Sequence, residues 1–223
     1  MIALRDVTFQ YRSDSTPVLD GVDLTLAPGA LTALRGPSGC GKSTLMYLCG
    51  LMLTPQDGEV LLNGRTVSHL PDRHRSRLRA ASIGFVFQDA MLDTTRSVID
   101  NVTEGAAFTG RAPRDIAARA HALLAEFELS DHARAKASSL SGGQSQRVAL
   151  CRALVKAPTV ILADEPSGNL DRANGDRVVD RLRDEAHRHG TSVLVVTHDD
   201  RLAARCDASI EFEVLSAHRS AAP

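Results

Sequence analysis

No stretch of this chain is apolar over the roughly 18 to 20 residues needed to cross a bilayer, and its first residues show no charged-then-apolar leader. The chain is therefore expected to be soluble. It also lacks an excess of either charge: the formal net charge is -1, with no long basic block. General adhesion to nucleic acid or to an anionic membrane is not expected, so any partner has to be recognised locally. Paired cysteines are missing too. Cys40, Cys49, Cys151 and Cys206 show no C-x-x-C spacing, and Cys40 lies between two glycines in a turn that a disulfide would distort. A reducing cytosol suits such a set. Apolar material, by contrast, is ample: 43% of 223 residues is enough for one large core with a smaller lobe.

The most informative stretch is Gly36-Pro37-Ser38-Gly39-Cys40-Gly41-Lys42-Ser43-Thr44, which fits G-x-x-x-x-G-K-[ST]. It follows the strand-like run Leu31 to Arg35 and opens the apolar segment Leu45 to Leu48, the strand-loop-helix setting of a phosphate-binding loop. Three glycines let the backbone curl so that successive N–H groups point inward, and the helix starting near Lys42 adds its positive end. A triphosphate fits such a nest. Lys42 is expected to reach the β- and γ-phosphates, and the Ser43 hydroxyl to bind Mg²⁺. A glycine-rich turn before an ordinary helix is the alternative, but it gives no packing reason for a lysine-hydroxyl pair.

Taken in order, Val7, Phe9 and Tyr11 alternate with polar residues and predict a half-buried strand; Leu24 and Leu26 predict a second. Pro28-Gly29 is a turn, and Glu59 to Leu62 followed by Asn63-Gly64 predicts a hairpin, so these pieces make a small antiparallel lobe. Tyr11 is placed either to stack on an adenine or to serve as an ordinary strand aromatic. Four arginines crowd residues 69–79, where a solvated helix face is preferred over a basic patch because no aromatics are interleaved. Ile83 to Phe87 predicts a buried strand delivering Gln88, which can bind Mg²⁺ or sense a γ-phosphate.

From Ser97 to Lys156 the chain reads as helical, with Pro113 at a helix start and Ile116, Ala120, Leu123, Leu124 and Phe127 on one face. This is an inserted helical lobe. Near its end lies Leu140-Ser141-Gly142-Gly143-Gln144. Ser141 is the expected N-cap, and because glycine costs about 1 kcal/mol against alanine inside a helix, exposed N–H groups for an anion explain Gly142 and Gly143 better than a purely structural cap. Thr159 to Ala163 predicts a strand carrying Asp164 and Glu165 at its tip, one to hold the Mg²⁺ shell, the other to orient or deprotonate water. Capping of the next helix is the bland reading of that pair. Ser167 to Asp171 is a turn-rich loop, a helix through Val178, Val179 and Leu182 ends near Gly190, and the strand Ser192 to Val196 delivers His198. That histidine either faces a nucleotide or is an acid-paired structural residue. Ser209 to Val214 is strand-like, with a frayed tail after it.

Together these residues resemble the ATP-binding subunits of ABC transporters, from about Ile2 to Val214. The phosphate loop, Gln88, the Leu140 to Gln144 signature, Asp164-Glu165, the Ser167 to Asp171 loop and His198 occur in that family's order. The resemblance implies an α/β P-loop NTPase core with an antiparallel β-lobe and a helical lobe at about 92–156. It further implies a single ATP-binding domain over 1–214, a disordered tail at 215–223 and head-to-tail dimers with ATP and Mg²⁺ buried between them. By that resemblance Tyr11 stacks adenine, Lys42 and Ser43 hold phosphates and Mg²⁺, and Gln88 senses the γ-phosphate. Ser141 and Gly143 reach the γ-phosphate held by the other copy, Asp171 couples the two sites, Glu165 is the general base and His198 the γ-phosphate clamp. The partners it implies are a membrane permease and a second copy or a related chain, without nucleic acid, at the inner face of the cell membrane. Ile83 to Gln88 and Gly168 to Asp171 are similar to the branch that includes lipoprotein-release and macrolide-export ATPases. Asp89 to Ser97 departs from that branch in having no proline, and Ser145 replaces its commoner glutamine. A soluble ABC-type ATPase of DNA repair or translation is the alternative, but such relatives usually have a long coiled-coil insertion or two cassettes in one chain. A mechanical role without cargo passing through the membrane would use the same closure.

Overall fold

Continuous apolar runs and alternating runs fold into two different sheets. The structure, a computed structural model, describes residues 1–12, 16–168 and 170–213; the expected tail at 215–223, Val214 and Asn169 lie outside the described residues. The alternating runs β1 (Ile2–Phe9), β2 (Leu19–Leu26), β4 (Asp57–Leu62) and β5 (Arg65–Thr66) form an antiparallel sheet in the order β2-β1-β4-β5. In β2, Leu24 and Leu26 are buried while Asp23 and Thr25 face water, as a sheet with one wet face requires. Leu62 pairs with Arg65 across Asn63-Gly64, both at positive φ, the geometry that matches a two-residue hairpin to strand twist.

The first strand departs from expectation. It begins at Ile2 and ends at Phe9, so Tyr11 lies beyond it. Between Leu4 and Val7 the pairing with β2 shifts, with Asp6 at φ 46; Gly58 of β4 approaches so closely that a Cβ there would lie 2.3 Å from Asp6 O. A bulge of this kind breaks the period-2 pattern on which the sequence reading depended.

The apolar runs β3 (Leu31–Arg35), β6 (Ile83–Val86), β7 (Val160–Asp164) and β8 (Ser192–Val196), with β9 (Ala208–Glu211), form a parallel sheet in the order β6-β7-β8-β3-β9. Successive residues of a strand point to opposite faces, so the central strands feed two cores. Leu34, Leu162 and Leu194 pack with α1 (Lys42–Cys49) and the antiparallel sheet; Leu31, Ile161, Val193 and Val195 pack with the helical lobe and α6 (Arg172–His189). Register then fixes where the loops emerge. Leu34 and Asp164 both pair with Val196, so the carboxyl ends of β3, β7 and β8 stand level, the place where open α/β sheets bind ligands.

The segment expected to be helical from Ser97 to Lys156 is three helices, α3 (Val98–Glu104), α4 (Pro113–Glu126) and α5 (Gly142–Leu154), with two short 3₁₀ turns between α4 and α5. Pro113 opens α4, and Ile116, Ala120, Leu123 and Leu124 are its buried stripe. The arginine-rich helix α2 (Asp72–Ser82) buries no residue, yet it is more than a solvated face: Arg75 and Arg79 donate to the carbonyls of Leu53 and Leu51, tying it to the chain after α1. Among the described residues no helix is long and apolar enough to cross a membrane.

Candidate functional site

At the tip of β3 the backbone curls through three glycines with positive φ: Gly36 at 146°, Gly39 at 78° and Gly41 at 115°. Side chains would not fit this curl. A Cβ on Gly41 would lie 2.9 Å from the Phe212 ring and 3.0 Å from Val18, and one on Gly36 would lie 3.0 Å from Phe212 Cβ. Phe212 arrives there because Arg35 pairs with Glu211. Helix α1 starts at Lys42, directly after the loop of Pro37, Ser38, Cys40 and Gly41, and its N-cap Gly41 makes no side-chain bond, so the N–H groups of its first turn suit an anion. Lys42 Nζ donates to Gly36 O at 2.8 Å and Pro37 O at 2.6 Å, which holds the ammonium over the cradle. Beside it, Thr44 is buried and its Oγ1 lies 3.1 Å from the Tyr11 hydroxyl. The Tyr11 ring stands edge-on to Phe9 at 5.0 Å and is itself 62% exposed at the mouth of the loop.

Two strands over, beyond β8, Asp164 ends β7 and Glu165 follows it. Burial, then the charge of Glu165, raises the Asp164 pKa; Lys42 and a hydrogen bond from Ser43 oppose that rise. Glu165 takes φ 42, uncommon for a residue with a side chain, and its N–H donates to Val196 O at 2.9 Å. Its carboxylate is held from three sides: Thr197 Oγ1 donates to Oε2 at 3.2 Å, the His198 N–H to Oε1 at 3.0 Å, and His198 Nδ1 lies 2.6 Å from Oε1. The hydrogen bond to Glu165, then its charge, holds the His198 pKa above its ordinary value. A carboxylate fixed this way beside a phosphate cradle can orient and deprotonate a water. Neither acid caps α6. Asp171 does so, accepting from Asn174 N at 2.9 Å and Asn174 Nδ2 at 2.6 Å, and these bonds lower its pKa.

Ser43 and Asp164 supply a hydroxyl and a carboxylate, hard oxygen donors that suit Mg²⁺, although among the described residues no three His, Cys, Asp or Glu side chains gather as a metal site. Gln88 leaves β6 one strand further out, and its Nε2 lies 3.1 Å from where a Gly168 Cβ would be. The signature opens α5. Ser141 Oγ accepts from Gln144 N, and Gln144 Oε1 accepts from Ser141 N at 2.9 Å, a complete capping box. The cap expected at Ser141 is therefore present, and it is a complete box that includes a return bond the sequence reading did not contain. A Cβ on Gly142 would meet nothing within 4 Å, and one on Gly143 would meet Asn174 at 3.6 Å.

Sequence reasoning missed Phe212, Gln146 and Arg152. Phe212 is apolar between two glutamates, a signal that would have marked an inward-facing residue; the other two reach backbone carbonyls about 60 residues away and have no local signature.

Known proteins share this arrangement. A family model described as ABC transporter matches residues 19–168. The lipoprotein-releasing system ATP-binding protein LolD 1 of Caulobacter vibrioides is 45% identical over 199 residues, 89% of this chain and 85% of that protein. The macrolide export ATP-binding/permease protein MacB of Hyphomonas neptunium is 41% identical over 95% of this chain, which spans 33% of that relative. Among solved structures, the dimeric bacterial ABC transporter cassette MJ0796 superposes with a TM-score of 0.85 at 34% identity, over 95% of this chain and 94% of that one. The same cassette in a post-hydrolysis state bound to ADP and Pi gives 0.84 at 33%, over 95% of this chain and 94% of that one. A phosphate cradle beside a fixed glutamate, on a fold shared with cassettes that bind and cleave ATP, leads to one statement: the chain belongs to the ABC transporter family, as an ATP-hydrolysing cassette.

Proposed function

We propose that two cassettes of this kind, each with its own copy of these residues, close head to tail on ATP and drive a membrane permease of the lipoprotein-release or macrolide-export type. The carrying observation is the Glu165 carboxylate, fixed by Thr197 and His198 at the level of the phosphate loop. On this reading Gly36 to Thr44 cradles the phosphates, Lys42 neutralises them, Tyr11 stacks the adenine, Glu165 takes the proton of the attacking water and His198 steadies the γ-phosphate. Mg²⁺, when bound, neutralises phosphate charge, and Ser43, Asp164 and Gln88 are the residues that would hold it. Ser141, Gly142, Gly143 and Gln144 serve the other cassette's nucleotide, and Asp171 couples the two sites. The bonds of Ser141 and Gln144 support this, since they run to their own cap and to His132 and not to the phosphate loop. Coverage of 85% of the LolD relative favours lipoprotein release as the type. The cassette would then sit at the inner face of the cell membrane through its permease.

Glu165→Gln tests the reading. The variant should bind ATP, lose at least about 100-fold in turnover, as removal of a general base does, and accumulate as a closed dimer on size-exclusion chromatography. Normal turnover would exclude Glu165 as the base. Carried through solubilised membranes with Mg-ATP, the same variant should retain a multi-spanning protein in stoichiometric amount; recovery of soluble protein or nucleic acid alone would favour a role in repair or translation.

A further inference from the structure

The chain leaving β6 is gripped by α5 at two levels. Gln146, only 3% exposed, donates from Nε2 to Phe87 O at 3.0 Å. Six residues along the same helix, Arg152 donates from Nη2 to Ala90 O and from Nη1 to Met91 O, both at 2.7 Å. Burial pulls the Arg152 pKa below its ordinary value against the charge of Glu104, and the half-buried side chain rests on these two carbonyls. Its own backbone is fixed by α3, where a Cβ on Gly105 would come 2.0 Å from Arg152 O. The buried Gln146 donor resists separation because it would be left desolvated and unpaired, and the two Arg152 bonds add a charged grip about one and a half turns further on.

Gln88 lies between the two grips. Its amide rests on Gly168, whose N–H donates to Glu165 O at 2.9 Å. A cavity of about 170 Å³ bounded by Gln88, Gly142, Ser145 and Leu170 gives this side chain space to shift. One line of contacts thus runs from Ser141 at the start of α5, along the helix, through Phe87 and Gln88 to the loop that carries Glu165.

We propose that Gln146 and Arg152 are positioning residues that fasten the Gln88 segment to α5, so that movement of Ser141 reaches Glu165 through Gln88 and Gly168. This rests on the roles proposed above for Gln88 and Glu165. Neither Gln146 nor Arg152 touches the phosphate cradle, so the consequence appears in turnover and not in nucleotide affinity.

The test uses the full chain. Gln146→Leu removes the donor at similar volume and should lower kcat about tenfold with the KM for ATP within about twofold. Added to Gln88→Ala it should cause no further loss, because the clamp acts through that residue. Amide exchange at residues 89–91 should rise while the middle of α5 stays protected. Arg152→Lys keeps the charge and reaches one carbonyl, so its loss should be smaller; if Gln146→Leu does not fold, Arg152→Lys carries the same comparison. Unchanged kcat in Gln146→Leu, full turnover in Gln88→Ala, or an equal loss of kcat with and without Gln88→Ala overturns the proposal. Glu165→Gln measured alongside separates the two failures: full turnover there sinks the site assignment, whereas additivity beside an inactive Glu165→Gln overturns only the clamp.

Discussion

Two helices of this chain begin beside glycines, and they begin in opposite ways. Helix α1 follows Gly41, left-handed at φ 115, and no side chain caps it. Helix α5 follows Ser141, extended and bonded to Gln144 in both directions. A helix N-terminus presents unsatisfied N–H groups and about half a positive charge. At α1 the cap residue is a glycine with no side chain to offer them, and the Lys42 ammonium is held above the cradle. At α5 the capping box already occupies an N–H, and what remains outward is the dipole, the serine oxygen and the open face of Gly142. Such an end is suited to complete a site whose phosphates are held elsewhere, which is the division of labour proposed for two cassettes.

Matched substitutions at the two ends can break this comparison. Gly41→Ala should have the largest effect. The new Cβ meets Phe212 and Val18 at 2.9 and 3.0 Å, and φ 115 is closed to alanine at a cost of about 1–3 kcal/mol. If the loop relaxes to avoid that strain its N–H groups turn away, and ATP affinity should fall by about 100-fold in a fluorescent-nucleotide titration. Unchanged affinity would mean that α1 is not the phosphate end.

The same contrast explains what the sequence made legible. The phosphate loop, Asp164-Glu165 and His198 are short segments placed by the strands before them, so apolar runs next to glycines and acids were enough to locate them. Gln146 and Arg152 act across the fold on carbonyls of Phe87, Ala90 and Met91, and a carbonyl carries no residue identity for a pattern to detect. The capping box was half visible. Ser141 is legible as an N-cap, but the return bond from Gln144 was not read, although a serine followed three residues later by glutamine is itself a helix-start signal. The Asp6 bulge and its displacement of Tyr11 were hidden because they depend on the approach of Gly58 from a strand about 50 residues away.

Gly142→Ala sharpens the comparison from the other end, with a smaller effect. Nothing within 4 Å meets the new Cβ, and alanine favours helix over glycine by up to about 1 kcal/mol, so thermal stability should hold or rise. ATP affinity of the single chain should stay within about twofold, because this helix end is remote from Lys42. Turnover should nevertheless fall about tenfold if the proposed composite site holds, because a methyl then stands in the way of the other cassette's phosphate. Full turnover in this variant would remove the signature from the composite site.

The smallest effect is expected at Gln144. Alanine there removes the return leg of the capping box and the contact at 3.1 Å between Gln144 Nε2 and His132 Nε2. Loss of cap interactions costs about 1 kcal/mol, which in a chain of this length lowers Tm by about 2–4 °C. The Ser141 oxygen keeps its bond from the backbone N–H of residue 144, so the helix still starts in place and turnover should fall less than in Gly142→Ala. If Tm does not move, the box adds nothing to the helix and the glycines alone define that end. If turnover falls further than in Gly142→Ala, the glutamine acts on the nucleotide directly, and the two helix ends resemble each other more than their caps suggest.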